Sequence, residues 1–240
     1  MTITLAPDED AALTALRSFI LAVLPAGTEC IVGQVNRVPE PRTPDFVVMT
    51  PIHSQRQATN VVTYDDCRCV GSIAGTVMSI SQVDFGAISV GSVIFGLGVT
   101  EGTVVTGTLG GTGGVGDYSV SPSQSMSGVL AAGVMNVLKS TKLVIQLDVH
   151  GPASYGNAQR LSTLIRDDYC SLFFQRAGYP GISPIDADEP RQIPFINAES
   201  QYETRWIVDT SLDVEFTVAD IPQEFADTVE VTTVEADILP

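Results

Sequence analysis

A charge-poor, glycine-rich block in the middle of the chain restricts the fold more than any other feature. Within residues 71–130 only Asp84, Glu101 and Asp117 are charged, and no Lys or Arg occurs within residues 69–138. Short runs rich in β-branched residues alternate there with glycine turns, which is typical of a small all-β unit. The block is flanked by sequence of ordinary composition, so it predicts a separate all-β domain inserted at 71–130.

The two flanks predict a second, discontinuous domain made of 1–70 and 131–240. Residues 8–24 carry acids in the first turn and apolar residues at helical spacing, so they predict a helix that begins where its dipole favours negative charge. Residues 141–150 alternate apolar and polar side chains, which predicts a half-buried strand. With 240 residues and 44 % hydrophobic composition, the chain can bury a substantial core.

The remaining flank sequence completes an α+β pattern. It predicts strands at 30–35, 46–50, 57–64, 201–218 and 228–234, a helix from about 154 to 175, a proline-rich extended segment at 38–46 and a loop at 178–194. We therefore expect an α+β fold, with a mostly antiparallel sheet and helices flanking it. The expected core consists of Leu16, Phe19, Ile20, Ile145, Leu147, Leu161, Leu164, Leu212, Val214 and Phe216.

The glycines of GTLGGTGGVGDYSVSPSQS spell G-x-G-x-x-G at Gly111, Gly113 and Gly116. A dinucleotide fingerprint must open a helix whose N-terminus holds the pyrophosphate. Here Asp117 would bring negative charge to the phosphate, and Tyr118 prefers a strand. The motif therefore predicts turns and bulges with positive φ between strands, and no nucleotide or other cofactor.

Candidate catalytic residues are few. His53 and His150 each lie beside a turn, and no G-x-S-x-G nucleophile elbow occurs. The spacing Cys67-x-Cys69 is not that of a zinc or redox motif, so we expect Cys30, Cys67, Cys69 and Cys170 to be free thiols. The sequence predicts a protein that is not an enzyme.

Carboxylates are abundant without forming a recognised metal site. Asp186, Asp188 and Glu189 lie together but lack the glycine and glutamate spacing of an EF-hand, so they predict a solvated acidic loop. The pairs Asp65-Asp66 and 167–168 are expected to be exposed or to cap helices. We expect no bound metal.

The acidity is concentrated near the end of the chain. The formal net charge is −16, and residues 206–240 contain nine acids and no Lys or Arg. This balance excludes a protein that grips nucleic acid through clustered cations. Two interpretations stay open: a solubilising surface, or an acidic face that repels a polyanion. The second assigns a passage-lining face to Asp209, Asp213, Glu215, Glu230 and Glu235.

No membrane segment is expected. The start MTITLAPDED lacks the basic and apolar regions of a signal peptide, and the longest apolar run, near 19–24, is too short to span a bilayer. The sequence therefore predicts synthesis in a cytoplasm with no membrane partner.

The middle block resembles a repeat-type β module of tailed-phage structural proteins. The resemblance lies in GAISVGSVIFGLGVTEGTVVTGTLGGTGGVGDYSVSPSQSMS, residues 86–127. It implies decoration or stabilisation of a virion and no chemistry.

The flanks resemble phage neck and tail-terminator proteins. The similar passages are RVPEPRTPDFVVMTPI, LDVHGPASYGNAQRLSTLIRD and PFINAESQYETRWIVDTSLDVEF. The resemblance implies a virion protein made in the bacterial host, which forms a ring, expected to be hexameric, on the tail tube. Its implied partners are the tube and sheath proteins and the head-side connector, with DNA passing through unbound.

An open sheet edge and polar-tipped aromatic residues fit such a ring. The residues we assign to the contact between subunits are Tyr202, Arg205, Trp206 and Phe225. Core packing explains Trp206 equally well. The alternative function is a baseplate or peripheral decoration protein whose β insert binds host glycans or a fibre.

Overall fold

The computed structural model describes residues 3–34, 41, 43–196 and 202–222. The chain divides into two compact units. One, called here the α+β unit, consists of Leu5–Val61 and Val137–Val218. The other, called the β unit, is built around Val62–Asn136 and also includes the described residues 3–4 and 219–222, so the strands Thr4–Ala6 and Arg205–Pro222 each have one end in it. That the narrower segment 71–130 folds as a domain of its own stays a prediction.

The α+β unit contains a mixed sheet and helices packed on it. In chain order its elements are β1 (Thr4–Ala6), α1 (Glu9–Val23), β2 (Glu29–Val32), β3 (Phe46–Arg56), the last part of β7 (Gly116–His150), α2 (Ser154–Ile165), α3 (Asp168–Ala177), β8 (Ile182–Ala187), β9 (Arg191–Gln192), β10 (Phe195–Ile196), β11 (Tyr202–Glu203) and β12 (Arg205–Pro222). The strand order is β1-β12-β7-β3-β2, with β8 and β9 also paired to β12. The strands β2 and β3 are parallel, whereas β3–β7 and β12–β8 are antiparallel.

Helix α1 forms where the sequence predicts it. The Asp8 carboxylate accepts a hydrogen bond from the Ala11 N–H at 2.8 Å and so caps the first turn. The apolar stripe containing Leu16, Phe19 and Ile20 is fully buried. The N-cap and the stripe are both local signals, which is why this helix is readable from sequence.

The predicted single helix from 154 to 175 is wrong. The structure has two helices, α2 and α3, separated at 166–167. The Asp167 carboxylate accepts a hydrogen bond from the Tyr169 N–H at 2.9 Å, so Asp167 begins a new helix. Gly178, with φ +76°, ends α3 in the left-handed conformation that glycine tolerates best.

Several predicted boundaries also change. The strand predicted at 46–50 extends to Arg56, because its outer half pairs with β7 across a register shift at 51–53. The predicted loop at 178–194 contains β8 and β9, which pair with β12. The predicted strand 228–234 lies outside the described residues.

The predicted core of the α+β unit is largely confirmed. Eight of its ten residues are buried, and Leu164 and Phe216 are partly buried against the same cluster. The cluster joins the inner faces of α1, α2 and α3 to alternate residues of β3, β7 and β12. The three helices therefore cover one face of these strands, and the other face does not contact them.

The β unit has its own apolar core. Its strands are β4 (Val61–Phe85), β5 (Val93–Gly96), β6 (Val104–Thr108) and the first part of β7. β4 folds back on itself near Gly75, which has φ +68°, and Ser81 Oγ donates to the Val70 carbonyl at 3.1 Å between its two halves. The strand predicted at 57–64 is confirmed only at 61–64: it begins at Val61 and continues far into the block. The buried core includes Cys67, Met78, Ile94, Tyr118 and Leu130.

The fold class is more β-rich than predicted. Strands occupy most of the described chain, and α1, α2 and α3 are the helices of the described residues. The expectation of helices flanking a sheet holds in the α+β unit, and the sheet is mixed because β2 joins it in parallel. The excess of strand comes from β4, β7 and β12, each far longer than a typical strand of five or six residues.

Candidate functional site

Strand β12 carries most of the residues that the sequence assigns to a functional surface. Val208, Leu212 and Val214 point into the core of the α+β unit. Successive side chains of a strand point to opposite faces, so Asp209 and Asp213 lie on the other face of the sheet. The alternation predicted from sequence is confirmed, and it separates core from surface along this strand.

Trp206 is partly buried within its own chain. It packs against the core cluster, and its ring lies 4.7 Å from the ring of Tyr155, centroid to centroid. Tyr155 is 54 % exposed, so this aromatic pair reaches the surface. Tyr202 lies on β11, opposite Ile196 of β10. Phe225 lies outside the described residues, and the interface role of all three aromatics stays a prediction.

Arg205 is held by an ion pair that the sequence analysis missed. Its guanidinium donates twice to Asp148 Oδ1, at 2.6 and 3.0 Å. Both side chains are largely buried, which strengthens the attraction between the charges. The two residues are 57 positions apart, so no local signal reveals the pair. A contact of Arg205 with another subunit would have to add to this pairing.

His150 is buried beside the same pair. Its Nδ1 lies 3.1 Å from a carboxylate oxygen of Glu203, to which it donates, and its ring stacks on Phe46 with centroids 4.5 Å apart. Burial lowers the pKa of His150 below 6.5, against the opposing effect of Glu203. Burial therefore favours the neutral form of His150. The sequence placed it beside a turn, and the structure adds its role in packing.

The acidic residues of β12 differ in how they are compensated. Asp209 forms an ion pair with Arg191 at 2.6 Å. Asp213 accepts hydrogen bonds from Gln57 at 2.8 Å and Ser140 at 3.0 Å. Glu215 is exposed and forms no ion pair with a cation of the described chain. Glu230 and Glu235 lie outside the described residues, so the passage-lining face stays a prediction.

The glycine motif forms a turn, as the sequence predicts, and the Tyr118 hydroxyl holds this turn through two hydrogen bonds that were not predicted. Gly113 has φ +96°, and β7 begins at Gly116, so a strand and not a helix follows. The buried Tyr118 hydroxyl donates to the Gly114 carbonyl at 2.7 Å and accepts from the Gly113 N–H at 3.0 Å. A Cβ at Gly111 would lie 2.2 Å from the Tyr118 ring. The loop packs around the Tyr118 side chain, and it does not lead into a helix whose N-terminus could bind a phosphate.

The acidic stretch 186–189, predicted as a loop, begins inside β8, and one cation partly compensates its three acids. Arg166 lies 3.1 Å from Asp186 and 3.4 Å from Glu189, and all three side chains are at least half exposed. Exposed ion pairs of this kind contribute little to stability. Within residues 3–34, 43–196 and 202–222, no cluster of three or more His, Cys, Asp or Glu could hold a metal ion.

The four cysteines are buried free thiols, as predicted. Burial raises the pKa of Cys30, Cys69 and Cys170 to about 12, and that of Cys67 also rises. A thiol reacts as its thiolate, so these cysteines are poor nucleophiles at neutral pH.

An open groove of the α+β unit, where β12 meets the residues beside β1 and β8, was not predicted. Its volume is about 480 Å³, and its lining is mainly apolar. The lining includes Pro7, Tyr179, Pro180 and Gly181, with Glu215 and Thr217 contributed by β12. These side chains come from three separated parts of the sequence, so only the folded chain assembles this groove, called here the edge groove.

The stretch that contains β12 also matches a known protein family. The model of the family described as phage neck terminator protein matches residues 106–237, more than half of the chain. The chain belongs to the phage neck terminator protein family. This neck terminator is therefore a structural protein of the neck or tail of a phage virion. No curated protein matches it.

The family match covers the elements that carry the candidate surfaces. It begins inside the block predicted as an insert and continues through β7, α2, α3 and β8 to β12. The similarity to neck and tail-terminator proteins inferred from the flanks is confirmed, whereas the β-module resemblance of residues 86–127 stays a prediction. In the part of this neck terminator that the structure describes, no helix is long and apolar enough to cross a membrane.

Proposed function

We propose that this neck terminator assembles into a ring, hexameric in our expectation, that caps the phage tail tube and joins it to the head-side connector. The observation that carries the proposal is the family match over 106–237. Further proposed partners are the sheath protein and other copies of the chain. The role is structural, and we propose that the protein catalyses no reaction and uses no cofactor.

The shape of the α+β sheet supports assembly through its edges. Among the described strands, β2 pairs only with β3 and so forms one edge of the sheet, while β8 and β9 lie along the other side of β12. Edge strands offer unpaired N–H and C=O groups to a neighbour. Because the two edges differ, a contact between them is head-to-tail, and such contacts close into rings when the rotation permits.

The charge of the chain supports a passage through which DNA moves without adhering. The net charge is −16, and β12 places Asp209 and Asp213 on the sheet face opposite the core. We propose that this face and the acidic C-terminal residues line the passage, where they repel the phosphates.

Two measurements test the ring. Native mass spectrometry of the full chain should give one closed oligomer, and a reconstruction of the virion with this chain labelled should show it at the tail–head junction. A protein that stays monomeric at high concentration and is absent from that junction would contradict the proposal.

A second role is open for the β unit. Its loops carry exposed aliphatic side chains, with Leu97 97 %, Val115 62 % and Leu109 59 % exposed. Exposed apolar groups of this kind favour contact with a protein, such as a fibre, over contact with a glycan. Virions carrying Leu97→Asp should terminate tails at normal length in either case, and a loss of host adsorption would support the decoration role.

A further inference from the structure

We propose that the edge groove receives residues 36–42 of a second copy of this chain, called here the arm. The inference rests on the proposed ring, because it names the contact that would join neighbouring copies. The groove, the charge of its rim and the position of the arm in the fold each contribute to the argument.

The edge groove is apolar and held in shape by the core. The Tyr179 hydroxyl lies 3.0 Å from Ser18 Oγ, and the Tyr179 ring lies 6.1 Å from Phe174, centroid to centroid. Pro7 and Pro180 restrict the backbone on either side and have no N–H to satisfy. A preformed groove lined by an aromatic ring and prolines suits an extended proline-bearing segment, which loses little entropy on binding.

The rim of the groove selects a cationic occupant. Glu215 lines the groove and is exposed, and no ion pair joins it to a cation of the described residues. In this acidic chain the arm, NRVPEPR, has Arg37 and Arg42 on either side of two prolines, and with Glu40 between the prolines its net charge is +1. Arg191 also lies next to a proline, but it is already paired with Asp209. The arm is therefore the segment whose chemistry complements the groove.

The residues that flank the arm and the residues that line the groove lie on opposite sides of β7 in the sheet. The described residues that flank the arm lie beside β2 and β3: the Gly33 N–H donates to the Met49 carbonyl at 2.7 Å, and Thr43 Oγ1 donates to the Asp45 carbonyl at 3.2 Å. In the order β12-β7-β3-β2 the arm's edge lies three strand spacings, about 14 Å, from β12. An out-and-back excursion over 34–42 reaches at most about 15 Å. The arm would have to stretch fully across its own sheet to reach its own groove.

A neighbouring copy meets no such restriction. If its β2 edge faces the side of β12 that carries β1, β8 and β9 in the first copy, its arm is brought to the groove. The contact is heterologous, with a donor edge and an acceptor edge on every copy, which is the arrangement that closes a ring. In this arrangement Glu215, which the sequence analysis assigned to the passage, serves the contact between copies instead, although it lies on the same face of β12 as Asp209 and Asp213.

A charge-swap experiment on the full chain tests the contact. Sedimentation velocity over a concentration series would compare the wild type, Glu215→Lys, the arm variant Arg37→Glu/Arg42→Glu, and the three substitutions combined. Glu101→Lys is the matched control, because Glu101 is an exposed acid of the β unit and the charge change is the same. Near-ultraviolet circular dichroism would verify that each variant is folded.

We expect Glu215→Lys and the arm variant each to raise the concentration needed for assembly about 10-fold, since each places like charges together. The combined variant should return to within about 3-fold of the wild type, and Glu101→Lys should assemble normally. Wild-type assembly should also weaken with added salt. Full assembly of both single-side variants, or failure of the combined variant to recover, would overturn the arm–groove contact while leaving the ring proposal standing.

A labelled peptide of residues 35–44 separates failure of the ring from failure of the contact. If the wild type does not assemble, the ring proposal fails, and fluorescence anisotropy of the peptide with wild type and Glu215→Lys then decides the contact. Binding to the wild type that Glu215→Lys weakens about 10-fold or more supports the contact. Absent binding, or equal binding to both proteins, overturns it.

Discussion

At the residue scale, the Tyr118 hydroxyl holds the glycine-rich loop in one conformation. It satisfies the Gly113 N–H and the Gly114 carbonyl in a site where Tyr118 itself is fully buried. Buried backbone groups without partners are costly, so one oxygen atom has a large effect on this loop. The glycines supply the close approach, and the tyrosine supplies the hydrogen bonds.

Tyr118→Phe should lower the free energy of unfolding of the β unit by about 1–3 kcal/mol, because two buried backbone groups lose a partner. Chemical denaturation monitored by circular dichroism would measure the change. Tyr64→Phe is the matched control, since Tyr64 is 55 % exposed, and it should change stability by less than about 0.5 kcal/mol. Equal effects of the two variants would contradict the stabilising role of the two Tyr118 hydrogen bonds.

His150 gives the α+β unit a predictable response to acid. Because burial lowers its folded-state pKa below 6.5, the unfolded chain binds the proton more readily. The stability due to neutral His150 is fully present above pH 6.5, and it is lost as the pH falls from 6.5 toward the lowered pKa. The groups facing the ring are Glu203, Arg205, Asp148 and the stacked Phe46.

His150→Asn should be less stable than the wild type at pH 7.5 but should show a flatter stability profile between pH 7 and 5. Thermal melts across this range would measure both slopes. His53→Asn is the control, because His53 is exposed on β3 and should leave the profile unchanged. A wild-type slope that persists in His150→Asn would assign the pH dependence to other groups.

At the element scale, the separation of α2 from α3 depends on a cap. Asp167 has extended backbone and its carboxylate accepts the Tyr169 N–H, so the chain changes direction there. Asp168, the next residue, is already helical. The apolar spacing of 154–175 alone suggested one helix, and the cap signal in Asp167-Asp168 was the feature that could have divided it.

Asp167→Ala should destabilise the α+β unit by about 1 kcal/mol, because the first turn of α3 loses its side-chain acceptor. Asp168→Ala removes the same charge one position later and should cost less, since Asp168 interacts only with the helix dipole. Urea unfolding curves of the two variants would give the comparison. A larger loss in Asp168→Ala than in Asp167→Ala would contradict the cap.

At the scale of the whole molecule, the boundary of the β unit differs from the boundary of the composition change. The charge-poor block predicts an insert at 71–130, whereas the compact unit is built on Val62–Asn136. The buried residues Cys67 and Cys69 belong to the β-unit core although they precede residue 71. Excision at 71 and 130 would remove most of that core and leave these residues exposed.

Two excisions therefore separate the alternatives. Replacing 62–136 with a short Gly-Ser linker should leave a folded α+β unit, because the Gln57 N–H donates to the Ser140 carbonyl at 3.1 Å and the cut ends lie close together. Replacing 71–130 should give a less stable, more aggregation-prone protein. Thermal unfolding and size-exclusion chromatography would compare them, and greater stability of the 71–130 excision would support the narrower domain.

The sequence by itself determined the features that depend on neighbouring residues. These are the N-cap and stripe of α1, the inward alternation of β7 and β12, the glycine turn before β7 and the similarity to neck and tail-terminator proteins. Each is encoded within a few turns or one strand, where helical or two-residue periodicity decides which side chains are buried.

Only the tertiary structure decided which distant groups meet. It paired β8 with β12 in a segment that reads as a loop, joined Arg205 to Asp148, and built the edge groove from Pro7, Tyr179 and Glu215. Strand pairing and buried ion pairs are contacts between residues far apart in sequence. Their partners are chosen by packing of the whole chain, and a local pattern carries no information about that choice.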